Sequence, residues 1–202
     1  MLDAWYPGEE GGTAIADVLF GDYNPGGRLP VTFYKSVADL PPFDDYKMEG
    51  HTYRYFRGQP LYPFGYGLSY TTFGYSNLTV GKTVVAGKPL QVTADVQNTG
   101  KLAGDEVVQL YITDASATVA VPIRNLAGVQ RLNLKPGEKR RVSFTISPRQ
   151  MSVVLDNGKR VIEPGEFVIS VGGGQPQQNN KAATVEGRFR VSGSVAVPEL
   201  QR

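Results

Sequence analysis

The stretch LQVTADVQNTGKLAGDEVVQLYITD, residues 90–114, decides the fold. Apolar and polar residues alternate through LQVTADVQN (90–98) and again through EVVQLYITD (106–114). A period of two is the signature of a strand with one buried face, and the NTG between them is turn chemistry. The same pattern continues in LAGVQRLNL, RRVSFTIS, MSVVLD, EFVISVG and TVEGRFRVS, separated by KPGE, DNGK and EPGE turns. Short alternating strands at this density, with almost no helical periodicity, predict a mainly β chain. The expected architecture over 73–202 is an antiparallel β-sandwich of fibronectin type III or immunoglobulin kind. No internal repeat of fixed period is present. The low-complexity segment GGGQPQQNNK, 172–181, reads as a mobile hairpin loop.

Upstream the pattern breaks. PLYPFGYGLSYTTF, residues 60–73, holds five aromatics, two glycines and two prolines. It is too interrupted for a helix and too rich in Gly and Pro for an ordinary strand, so it reads as a joint. Before it, residues 35–59 are irregular, with adjacent prolines and clustered acids, the mark of an ordered surface loop. RLPVTFY, 28–34, predicts one short strand. In PGEEGGTAIADVLFGD, Ile15, Val18 and Leu19 recur at helical spacing, and Gly21 with Asn24-Pro25 stops the run. Gly11 and Gly12 near its start suggest close approach by another backbone or a ligand. One helix and one strand cannot bury a core. Residues 1–72 are therefore expected to be a short α/β remnant, the end of a larger α/β domain, and 73–202 the sandwich.

The 202 residues are 41% hydrophobic and 20% charged, with no cysteine, so neither a disulfide nor thiolate chemistry is available. The net charge of +2 is too small to suggest a nucleic-acid partner. Residues 1–72 carry nine acids and five bases, and 73–202 ten acids and sixteen bases, so the charge changes sign at the joint. No apolar run approaches the roughly 20 residues of a membrane helix, and MLDAWYPGEEGG lacks the basic start and apolar core of a signal peptide.

Candidate chemistry is sparse. Glu9 and Glu10 are adjacent, but glycoside chemistry needs carboxylates facing each other across roughly 5–9.5 Å, and neighbours point apart. Acids at a helix start complementing its dipole are the simpler reading. Asp44 and Asp45 read as loop-ordering charges beside Lys47, Glu49 and Arg54, with no metal-ligand spacing. His51, the only histidine, has no G-x-S-x-G serine or cysteine to activate. The aromatics of TYRYF, 52–56, could stack on a sugar, with core packing the default. EKRR, 138–141, reads as a charged hairpin edge that discourages pairing. GGG at 172–174 has no phosphate-loop context, so no nucleotide site and no cofactor is indicated.

Several long segments together resemble the family 3 glycoside hydrolases: AWYPGEEGGTAIADVLFGDYNPGGRLPVTF (4–33), DLPPF (39–43), TYRYF with PLYPFGYGLSYTTF (52–73), GDEVVQLYITD (104–114), LAGVQRLNLKPGE (126–138) and EPGEFVISVG (163–172). The resemblance implies that the Gly- and Tyr-rich segment leads out of an α/β domain into a fibronectin type III-like domain. Phe64, Tyr66, Leu68 and Tyr70 would pack at that junction, and Gly65 and Gly67 would let the chain turn. It further implies a parent that is an exo-acting, retaining β-glucosidase or β-xylosidase acting on plant-wall oligosaccharides, periplasmic or secreted in a bacterium. DDYKMEGHTYRYF leans slightly toward the β-xylosidase members. The family's aspartate nucleophile and its glutamate acid/base lie upstream of the WYPG segment, so no catalytic residue is carried over. Glu9 stands where relatives often have Gln.

The expected role is the structural, non-catalytic portion of such an enzyme, meeting oligosaccharide only through the upstream catalytic domains. His51, Tyr53 and Arg54 are the residues of the 35–59 loop expected nearest a substrate rim. An unpartnered N-terminal apolar face, with Trp5, Ile15, Val18, Leu19 and Phe33, would be partly exposed or buried by self-association. Two readings compete. A stand-alone carbohydrate-binding module would need an exposed aromatic row drawn from Tyr75, Tyr111, Phe144, Phe167 and Phe189. A small enzyme would have to build its site from Asp44, Asp45 and His51.

Overall fold

The computed structural model describes residues 2–176 and 182–198. The later half of the expected 172–181 loop lies outside the described residues. Among the described residues, eleven strands follow one another from Phe73. They are β1 Phe73–Val80, β2 Thr83–Val85, β3 Leu90–Asn98, β4 Gly104–Asp114, β5 Asn125–Leu134 and β6 Lys139–Ile146, then β7 Val153–Val154, β8 Arg160–Ile162, β9 Gly165–Gly172, β10 Thr184–Ser192 and β11 Val195–Ala196. A three-stranded sheet, β1-β3-β6, faces a five-stranded one, β2-β10-β9-β4-β5, and a small β11-β8-β7 sheet lies beside them. All pairs are antiparallel except β2 with β10.

The alternation read in the sequence becomes the inner faces. Leu90, Val92, Ala94 and Val96 of β3 and Val142, Phe144 and Ile146 of β6 meet Val108, Leu110 and Ile112 of β4 and Phe167, Ile169 and Val171 of β9. Phe167 and Phe189 stack at 5.2 Å between ring centres. Burying side chains of this size contributes about 1.5–3 kcal/mol each. The KPGE segment crosses between sheets, with Gly137 at φ 76°, and Gly158 of DNGK sits at φ 80° in the β7–β8 hairpin. The left-handed region is cheap only for glycine. Of EKRR, Glu138 ends the preceding turn and Lys139, Arg140 and Arg141 open β6, an edge strand, where Arg140 pairs with Glu138 and Arg141 with Asp95.

β4 departs from simple alternation. Gln109 and Tyr111, on its outer face, are as buried as their inner neighbours, because the N-terminal segment covers that face.

That segment holds little regular structure. Helix α1, Gly11–Phe20, ends at Gly21, whose φ of 89° lets its N–H reach the Asp17 carbonyl. Neither glycine near its start meets another backbone: a Cβ on Gly11 would strike the ring of Pro7, four residues before it, and Gly12 faces open space. A single helical turn, α2, covers Thr52–Tyr55. The strand expected over 28–34 does not form as a regular element. Leu29 and Phe33 bond to the 61–66 segment, but only Phe33–Tyr62 closes as a bridge. Pro30 supplies no N–H to continue the ladder.

Candidate functional site

The structure concentrates its buried polar chemistry where residues 2–72 meet the sandwich. Arg28 Nη2 lies 2.7 Å from Glu106 Oε2, and the Tyr75 hydroxyl donates to Glu106 Oε1 at 2.5 Å. Both ionic side chains are nearly sealed from water. Burial pushes the Glu106 carboxyl above its ordinary range, although the Arg28 charge and the Tyr75 hydrogen bond pull it back. The Tyr75 phenol is also raised, by burial first and then by the neighbouring carboxylate. Such a pair is expensive to break from one side, since the remaining charge stays buried.

Two glutamines take hold of the joint by its main chain. Gln109 Nε2 donates to the Gly65 carbonyl at 3.0 Å and to the Gly173 carbonyl at 3.1 Å, while its Oε1 accepts from the Tyr111 hydroxyl at 2.6 Å. Gln175 Nε2 donates to the Phe64 carbonyl at 2.8 Å, and its Oε1 accepts from Arg124 Nη1 at 2.9 Å. Gly65 is required twice over: its φ is 79°, and a Cβ would collide with the Gln109 amide. A Cβ on Gly67 would strike the Gly27 carbonyl. Asn24 accepts from the Ser69 hydroxyl and the Tyr70 N–H and donates to the Ala103 carbonyl. The Thr71 hydroxyl donates to Asn98 Oδ1 at 2.8 Å. Asn98 is fully buried and also donates to the Leu102 and Leu134 carbonyls.

Aromatic rings fill the space between these bonds. Tyr53 stacks on Phe64 at 4.3 Å and meets Tyr111 edge-on at 6.1 Å. Its hydroxyl accepts from the Leu126 N–H. Burial, and then Tyr53, push the Tyr111 phenol well up. Tyr62 and Tyr66 pack together at 5.3 Å. Leu68 and Tyr70, expected at the same junction, remain 62% and 49% exposed, and Tyr70 is held by its hydroxyl, which donates to the Val18 carbonyl.

Of the three rim candidates, Tyr53 is thus part of the joint. His51 Nε2 and Arg54 Nε are buried without a hydrogen-bond partner, as is Thr32 Oγ1. The Arg54 carbonyl accepts from the Ile123 N–H, and its guanidinium lies 5.9 Å from the Tyr55 ring. Between them Thr52 takes φ 57°, a strained value for a β-branched residue. Asp44 is exposed and Asp45 half-buried, Asp45 accepting from the Lys47 N–H. Glu10 N-caps α1 without a side-chain cap bond and accepts from the Thr13 hydroxyl. Among the described residues no group of three or more His, Cys, Asp or Glu is placed to hold a metal ion. No described helix is long and apolar enough to cross a membrane. Of the sandwich aromatics weighed as a sugar platform, Phe144, Phe167 and Phe189 are buried in the core, and Tyr111 is buried on the outer face of β4 against Tyr53.

Sequence reasoning passed over Arg28, Glu106, Gln109 and Gln175. The one available signal was Gln109, a lone amide in the otherwise apolar VVQLYI run.

Residues 1–70 match the family model described as the glycosyl hydrolase family 3 C-terminal domain, and 106–175 match a fibronectin type III-like domain. A periplasmic beta-glucosidase of Salmonella typhimurium is 42% identical over 185 residues, covering 85% of this chain and 24% of the relative. A xylan 1,4-beta-xylosidase of Xylanibacter ruminicola is 41% identical, covering 92% of this chain and 21% of the relative. The structure of beta-glucosidase 3B from Thermotoga neapolitana, in complex with α-D-glucose, aligns with TM-score 0.85 at 34% identity, over 96% of this chain and 28% of that one. The chain spans about a quarter of the length of the curated relatives it matches. It belongs to glycosyl hydrolase family 3, of which it carries the end of the C-terminal domain followed by the fibronectin type III-like domain.

Proposed function

We propose that this chain is the structural, non-catalytic portion of an exo-acting, retaining β-glucosidase or β-xylosidase that hydrolyses O-glycosidic bonds in plant-wall oligosaccharides. The observation that carries this reading is the two-sidedness of residues 2–72. One side is fastened to the sandwich through Arg28, Phe64 and Gly65. The other leaves Trp5, Tyr6, Leu19 and Phe20 exposed. Apolar surface of that extent marks a contact, and the covering partner would be the catalytic part of the enzyme. In this reading residues 1–72 close the α/β domain, 73–202 form the fibronectin type III-like domain, and Phe64–Tyr70 is the joint. The 35–59 loop would reach the substrate rim, with His51 and Arg54, whose buried nitrogens lack partners, completed there. Left uncovered, the apolar face would drive self-association.

The test is hydrolysis of aryl β-xyloside and aryl β-glucoside by the purified 202-residue chain, beside a chimera in which this chain replaces the matching segment of the Salmonella enzyme. The expected result is no turnover above buffer for the chain and retained turnover for the chimera. Turnover by the chain alone that survives stringent purification would overturn the reading, as would an inactive but folded chimera.

A further inference from the structure

The outer face of the five-stranded sheet carries a cavity of about 190 Å³ beside the joint. Register places its polar floor. Tyr111 of β4 pairs with Ser170 of β9, and Ser170 pairs with Glu186 of β10, so the three stand in one row. Ser170 is only 3% exposed, yet its hydroxyl has no hydrogen-bond partner. Buried polar groups are nearly always paired, and one that is not asks for an explanation. Arg124 lines the cavity from the segment before β5, its Nη1 on Gln175 and its other donors without a hydrogen bond among the described residues. Glu186 lines the opposite side and is exposed toward solvent. Ile123, Val168 and Pro176 supply apolar walls.

These features select a ligand class. The volume falls below the roughly 300–1,000 Å³ of sites for drug-sized molecules, so the occupant is ring-sized. Glu186 opposes an anion and Arg124 opposes a cation, which leaves a neutral molecule. A guanidinium, a carboxylate and a free hydroxyl around apolar walls suit adjacent hydroxyls on a carbon ring. We propose that this cavity binds one neutral sugar ring, with Ser170, Arg124 and Glu186 taking its hydroxyls. None of these residues was singled out by the sequence as a sugar contact, and the site stands independently of the function proposed above.

The experiment is a titration of the isotope-labelled 202-residue chain with D-xylose and D-glucose, followed by amide shifts at 111–113, 124, 168–170 and 186, with glycerol as the acyclic control. A saturable shift at those amides with Kd of roughly 1–10 mM is expected. Ser170→Leu, which fills the cavity, should weaken binding at least about tenfold, and Glu186→Gln about threefold, each in a protein with an otherwise unchanged spectrum. The proposal is overturned by no saturable shift up to about 100 mM, by equal shifts with glycerol, or by undiminished binding in folded Ser170→Leu. Should Ser170→Leu fail to fold, unchanged affinity in Glu186→Gln overturns it instead. None of these outcomes bears on aryl-glycoside turnover.

Discussion

From Val84 onward the chain seals Val92, Leu110, Ile169 and Phe189 into an apolar core; among the described residues before Val84, no Ala, Val, Leu, Ile, Met, Phe, Tyr or Trp side chain is fully buried. Residues 2–72 are fastened instead by an ion pair, amide-to-carbonyl bonds and partly buried rings. The sandwich closes its own apolar surface. The N-terminal region meets the sandwich with polar groups and partly buried rings, and leaves Trp5, Tyr6, Leu19 and Phe20 outside. Apolar burial is insensitive to small misalignment, whereas hydrogen bonds and ion pairs depend on angle and distance. A polar junction therefore fixes orientation more than it adds stability.

Four measurements would break or sharpen that contrast. Arg28→Ala strands the Glu106 carboxylate in a sealed interface and is expected to cost about 3–5 kcal/mol at neutral pH. Hydrogen exchange should show protection lost across 2–72 before the sandwich strands open. The loss should shrink in mild acid, where a protonated Glu106 no longer needs its partner. Leu110→Ala, in the core, should cost about 2–5 kcal/mol, read by urea denaturation as a shift of the sandwich transition. If instead it loosened only residues 2–72, the two regions would not be separately held.

Gly65→Ala puts a side chain at positive φ and against Gln109, for about 1–2 kcal/mol from the backbone alone. Its expected signature is faster exchange at 60–67 with the sandwich midpoint nearly unchanged. The smallest effect is in acid, and the neighbours Asp105 and Glu106 have opposite signs. Hydrogen bonds from Asn133 and Arg131 hold Asp105 below its ordinary 3.8. Its contribution is complete above 3.8 and is lost as pH falls through the lower folded value. Burial holds Glu106 above its ordinary 4.5. The stability tied to its neutral form is complete below 4.5 and is lost as pH rises through the higher folded value. In chemical denaturation across this range, Asp105→Asn should remove the acid limb and Glu106→Gln the limb above it.

The sandwich was legible because β3 and β6 obey a strict two-residue period imposed by one buried face. MSVVLD was less so: Met151 falls in a 3₁₀ turn and only Val153–Val154 pairs as β7. The aromatic cluster at 60–73 stood out in the sequence, and Gly65 within it takes a positive φ. The residues that hold the joint did not announce themselves. Arg28, Glu106, Gln109 and Gln175 are ordinary surface types, and each is buried by chain at least 44 positions away. No local pattern encodes such contacts. Ser170 was hidden for a related reason: in EFVISVG it reads as the outward partner of an alternating strand, and only the neighbouring segments turn that outward face into a cavity.

Gln109 and Gln175 grip Gly65 and Phe64 by carbonyl oxygens, a group common to all twenty amino acids. The sandwich therefore does not read which side chain residue 64 carries. Descendants of this chain can exchange that ring, and with it the packing partner offered to Tyr53, while the attachment persists. The glycine and the two glutamines have no such latitude. Over evolutionary time the junction should drift in its visible aromatics and stand still in its inconspicuous amides.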